Sequence, residues 1–216
     1  MRPSAAGQWL PFAALNLRSN PFGELTREDR AALAVVDAAR WLPQVAAADQ
    51  ALQFIGDCGR GKSTHLLALE RLLPGSAYVY LPEDGPLPAI PRGTPLLVDE
   101  AQRLPCRARR EAFRRGVALI LGTHVDLARV LRRYGYTVST VHVDQLVDAN
   151  HLVAVFNRRL EAVRLDADRP VPRITLDDAT YLHKRFGTDI RAMESYLYER
   201  VQRHSGDPSG KVQFID

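Results

Sequence analysis

At 216 residues, 46% apolar and 25% charged, the chain is long enough to bury a real core and too hydrophobic to stay disordered. No apolar run reaches the length of a membrane span, residues 1–15 lack a basic segment followed by an unbroken apolar core, and the two cysteines, Cys58 and Cys106, are too few for a disulfide framework and lack partners at metal-ligand spacing. The expectation is a cytoplasmic protein with free thiols and no membrane insertion, whose net charge of +4 permits contact with an anionic polymer without requiring it.

Residues 1–24 carry Pro3, Pro11, Pro21 and Gly23 and read as an irregular N-terminal arm, with Asn20-Pro21-Phe22-Gly23 as a turn. Thr26 is placed to cap a helix with Glu28 and Asp29 in its first turn and Leu33, Val36, Ala39 and Leu42 on its apolar face, ending by Pro43. Strands then alternate with helices. Strands are predicted at 51–55, 77–81, 95–98, 117–122 and 137–143, and helices at 62–73, 107–115 and 125–134. The proline-rich stretch 82–94 cannot hold a helix. This alternation predicts an α/β body over residues 25–147, a parallel five-stranded sheet flanked by helices. From Asp148 the strands stop, and helices at 149–165, 176–186 and 189–204, the second capped by Thr175, predict a small helical lid over 148–204. A polar tail over 205–216 is expected to be mobile.

Between the first strand and the next helix lies Gly56-Asp57-Cys58-Gly59-Arg60-Gly61-Lys62-Ser63, followed by Thr64, an eight-residue P-loop match in the strand-to-helix setting the pattern requires. Its glycines let the backbone curl so that successive N–H groups face phosphate oxygens, the helix N-terminus adds positive potential, and Lys62 brings a charge for the β and γ oxygens. Ser63 is the expected direct ligand of magnesium. Residues Gly56 to Thr64 are therefore the expected ATP and magnesium site.

About forty residues on, Pro95-Leu96-Leu97-Val98-Asp99-Glu100 is an apolar strand that delivers two carboxylates to its C-terminal end, the edge where parallel sheets hold ligands. Set beside the P-loop strand, it would bring them to the γ-phosphate. Asp99 is then expected to hold magnesium through its water shell, and Glu100 to be the general base that polarises water.

The succession GDCGRGKST, LLVDEAQ, LILGTH and FGTDIR resembles the AAA+ ATPases over residues 51–191, with the first two motifs strong and the last two weak. The resemblance implies ATP hydrolysis with magnesium, self-assembly, and roles for further residues. Thr123, with His124 as second choice, takes the place of the residue that senses the γ-phosphate. Arg191, in Gly187-Thr188-Asp189-Ile190-Arg191, takes that of the lid arginine on the nucleotide, and Arg132 or Arg133 that of the arginine offered to a neighbouring subunit's ATP. The Asn-Pro-Phe lead, DEAQ and GTH are similar, more narrowly, to compact AAA+ proteins that assist transposases or the general secretion machinery. In these the leading segment walls the adenine pocket, whereas Asn20 to Phe22 also read as a buried turn. One departure from the family is the stretch 82–94, where a helix and often a pore loop are usual; it weakens a translocase role.

Arg103, Arg107, Arg109, Arg110, Arg114 and Arg115 crowd the region after the carboxylate strand. Such a cluster suits the phosphates of DNA, a solvated basic face, or an acidic neighbour in an oligomer. The function that best fits is an ATP-hydrolysing regulator that forms a homo-oligomer and signals its nucleotide state to a protein partner, with DNA as a further candidate partner. The alternative is a slow or non-hydrolysing nucleotide-gated binding module that acts as a scaffold without DNA. A small-molecule kinase fits the paired acids and the helical lid less well.

Overall fold

A computed structural model describes residues 11–204 and 212–215. They form two compact units, one of residues 25–147 and one that gathers 11–24 with 148–204 and 212–215.

The first unit is an α/β layer structure. Its strands are β1 (Gln50–Ile55), β2 (Ala77–Tyr80), β3 (Leu96–Asp99), β4 (Leu119–Thr123) and β5 (Thr137–His142), all parallel in the order β2-β3-β4-β1-β5. Its helices are α1 (Arg27–Ala32), α2 (Lys62–Leu72), α3 (Cys106–Phe113) and α4 (Ala128–Arg133). Strand residues alternate between two apolar layers, as a sheet covered on both faces must. Leu52, Phe54, Leu97 and Ile120 meet Leu66 and Leu69 of α2 on one face. Ala51, Leu96, Val98, Leu119 and Leu121 meet Phe113 of α3 and Leu131 of α4 on the other.

Two expectations are corrected here. The carboxylate strand β3 is not beside the P-loop strand β1, because β4 lies between them. The single helix expected from Thr26 to Pro43 is broken: Thr26 does cap α1, but Leu33 closes it and residues 38–45 form a 3-10 helix with Pro43 inside. The spacing of Leu33, Val36, Ala39 and Leu42 is a strict three, which is the 3-10 period and departs from 3.6.

In the second unit α5 (Ala149–Ala162), α6 (Leu176–Phe186) and α7 (Ile190–Arg203) pack with the leading segment. Helix α6 starts on the expected Thr175, as a full capping box with Asp178. The helix expected over 149–165 stops early because the chain beyond it pairs with the leading segment: Arg18 N–H donates to Val163 O and Leu165 N–H to Asn16 O. Phe22 is buried edge-on against Phe156 and Phe214. Arg159, 3% exposed, donates to Pro21 O and Gly23 O and pairs with Glu194. The Asn-Pro-Phe turn is thus a buried structural turn of the helical unit. Residues 1–10, 205–211 and 216, including most of the expected tail, lie outside the described residues.

Candidate functional site

The P-loop curls between β1 and α2 because Gly59 and Gly61 take left-handed dihedrals, φ 80° and 92°, that side-chain-bearing residues resist. Gly56 is required for a different reason: a Cβ there would come within 2.5 Å of Val143 Cγ2. The loop sets Lys62 on the first turn of α2, 4% exposed, with Nζ donating to the carbonyls of Gly56 (2.8 Å) and Asp57 (2.9 Å). Burial pushes the Lys62 ammonium below its ordinary value, against the pull of the charges on Glu100 and Asp99. Ser63 and Thr64 follow on the same turn, half-buried, while Asp57 and Cys58 are exposed on the loop and Arg60 lies 4.0 Å from Asp57.

Asp99 ends β3 fully buried, and both of its oxygens are held. Tyr78 of the neighbouring β2 donates its hydroxyl to Oδ2 at 2.9 Å, and the Glu100 N–H donates to Oδ1 at 3.1 Å. Burial first, and then the Asp99 carboxylate, hold the Tyr78 phenol protonated well above its ordinary range. Arg27 covers the Tyr78 ring at 4.4 Å and pairs with Glu70 of α2 at 2.6 Å, which fixes the ring. Gly122 of β4 completes the enclosure, since a Cβ there would sit 2.5 Å from Asp99 Oδ1.

Glu100 leaves the strand in a left-handed conformation, φ 60°, which turns its carboxylate away from that of Asp99. A non-glycine residue held there costs on the order of 1 kcal/mol, offset by the contacts the turn creates. Gln102 donates to Oε2 at 2.7 Å, Arg103 approaches Oε2 at 3.5 Å, and His124 Nε2 lies 3.2 Å from Oε2. Oε1 is 3.9 Å from Lys62 Nζ. The Lys62 and Glu100 side chains therefore meet at the C-terminal edge of the sheet, even though β4 separates their strands.

His124 joins the two. Its Nε2 is 3.2 Å from Lys62 Nζ as well as from Glu100 Oε2. A bare Nε2 accepts from Lys62 and a protonated one donates to Glu100, so the ring serves one partner at a time. Its loop is pinned from below by Gln53, a buried polar residue of β1, which donates to Asp126 (2.6 Å) and accepts from the Leu127 N–H (2.9 Å). Asp126 also accepts from the Ala128 N–H, and these bonds hold its carboxyl below the usual range.

The other expected site residues are placed differently. Thr123 is fully buried and its hydroxyl exchanges hydrogen bonds with the backbone of Val125, so it shapes the turn that presents His124. Arg132 and Arg133 end α4 on its exposed side. Arg191 is exposed on the first turn of α7, in the helical unit. Tyr78, Gln102 and Gln53 were missed: Gln102 sits two residues past the acids, a visible signal, but Tyr78 and Gln53 reach the site only through strand pairing.

The donor set fits a magnesium–triphosphate. Left-handed glycines, a lysine whose donors rest on its own loop, a hydroxyl at Ser63 and an oriented carboxylate at Asp99 are the chemistry such a ligand needs. Among the described residues no three His, Cys, Asp or Glu groups cluster to cage a metal. A magnesium ion at Ser63 would take its remaining ligands from phosphate and water, as magnesium commonly does, with Asp99 reached through that water shell. No family model matches the chain, and no curated protein matches it.

Proposed function

We propose that this protein binds ATP with magnesium through Gly56 to Thr64 and Asp99, and hydrolyses it with Glu100 as general base, as an AAA+-type regulator that self-assembles and signals its nucleotide state to a partner. The observation that carries the reading is the 3.9 Å approach of Glu100 Oε1 to Lys62 Nζ at the mouth of a glycine-curled loop. A cation for phosphate oxygens and a base for water must lie within one triphosphate of each other, and here they do. When bound, magnesium would neutralise charge on the phosphates. The residues would do the rest: Lys62 would bind phosphate oxygens, Ser63 would ligate the ion and Asp99 hold it through its water shell, Tyr78 orients Asp99, and Glu100 would take the proton of the attacking water.

One observation favours the slow, gated module as a second reading. Gln102, His124 and Arg103 all engage Glu100, so its carboxylate must part from these partners before it can meet a water. Titration with a fluorescent ATP analogue and steady-state turnover separate the two. The regulator reading expects micromolar magnesium-dependent binding, and turnover that falls about 100-fold or more in Glu100→Gln while binding persists. Equal turnover in Glu100→Gln removes the base assignment, and absence of binding removes the nucleotide site.

A further inference from the structure

The six arginines around α3 do not act as one cluster. Arg103 donates to Leu81 O and pairs with Glu83, Arg109 donates to Leu104 O, and Arg115 donates to Pro91 O and Ile90 O while pairing with Glu111. Those three tie the unit together. Arg107, Arg110 and Arg114 are exposed and make no ion pair or side-chain hydrogen bond among the described residues. They stand at i, i+3 and i+7, so they run down one side of α3 for about 10 Å. Arg133 of α4, equally unpaired, lines with Arg110 and Arg114 an open groove of about 630 Å³, completed by Val130 and Tyr134. The Tyr134 ring is braced edge-on by buried Phe113 at 5.6 Å. The one acidic residue of α3, Glu111, is already paired with Arg115.

Cations gathered without counter-charge repel one another, and an anion that enters relieves that repulsion. We propose that this groove binds the phosphodiester backbone of double-stranded DNA without reading its sequence. Guanidinium forks match phosphate oxygens, and a row of them along a helix suits a row of phosphates better than a single one. Contacts of this kind to phosphate oxygens position a duplex and carry no sequence information. Among the described residues the groove shares no hydrogen bond or ion pair with Lys62, Asp99 or Glu100, and it meets the nucleotide reading only at Arg133, which the AAA+ resemblance also offers to a neighbouring subunit's ATP.

The test is fluorescence anisotropy of a labelled duplex of about 30 base pairs, titrated with the full chain without nucleotide between about 50 and 200 mM salt. The triple variant Arg110→Gln, Arg114→Gln, Arg133→Gln replaces exposed side chains, and its fold is checked by circular dichroism. It should weaken binding at least tenfold and lower the slope of log K against log salt by about 2 to 3. Arg203→Gln, an exposed arginine on α7, should change neither. An unchanged slope in the triple variant, or no duplex binding by the wild type at the lowest salt, overturns the proposal. So does polyglutamate that binds as tightly as the duplex, which would mark a surface for an acidic protein. Loss of concentration-dependent turnover in Arg133→Gln at constant duplex affinity would assign the groove to a second copy and also overturn it. The fluorescent ATP titration on the same preparation judges the nucleotide site separately.

Discussion

Tyr78→Phe isolates one hydrogen bond at the most enclosed acid of the site. The substitution removes the hydroxyl that donates to Asp99 Oδ2 at 2.9 Å and keeps the ring that Arg27 covers at 4.4 Å. Asp99 is fully buried and its other oxygen has only the Glu100 N–H, so no water replaces the lost donor without opening the sheet edge. A hydrogen bond to a buried charged group contributes about 1.5–3 kcal/mol, and the loss expected in urea unfolding is about 2 kcal/mol. The pH dependence gives an independent sign. The phenol is held above its ordinary value of 10.0, so the folded state keeps a proton that the unfolded state releases. The stabilisation is therefore complete below 10.0 and is lost as pH rises beyond it, and the variant should lack this part of the alkaline decline. Under the proposed function, Asp99 left to rotate should also raise the magnesium needed for half-maximal turnover by about three- to tenfold. A stability loss under about 0.5 kcal/mol with an unchanged alkaline slope would refute the reasoning, because it would mean the hydroxyl does not hold the acid.

Gly122→Ala should destabilise the α/β unit by about 1–3 kcal/mol in chemical unfolding, since the new methyl falls 2.5 Å from Asp99 Oδ1 and the fully buried acid must shift. Arg159→Ala should cost about 3 kcal/mol, because it strands Glu194 and the carbonyls of Pro21 and Gly23, and hydrogen exchange should rise first over residues 18–24.

What the sequence made legible followed local chemistry. The alternation of strand and helix was readable because a sheet covered on both faces leaves near-continuous apolar runs such as Leu96 to Val98, and the P-loop because its glycines and lysine are contiguous. Strand order was not readable, since nothing in β3 states that β4 will lie between it and β1. For the same reason Tyr78 gave no signal: it reads as an ordinary apolar strand residue until β2 pairs with β3 and brings it to Asp99. Thr123 and His124 show the complementary difficulty. Thr123 ends β4 and His124 follows it, and only the turn geometry decides that the threonine spends its hydroxyl on Val125 while the histidine reaches Lys62.

The helical unit is built from two stretches of chain that flank the whole α/β body, and Arg159 meets Pro21 across 138 positions. During synthesis residues 11–24 leave the ribosome before the sheet, and Phe22 can meet Phe156 only after the sheet and α5 have been made. Closing so long an interval has a modest entropic cost, which grows only as the logarithm of its length, but it must be met before any of the new contacts form. The order of assembly is thereby imposed by the covalent chain: the α/β half can fold as it emerges, and the other half waits for its later helices.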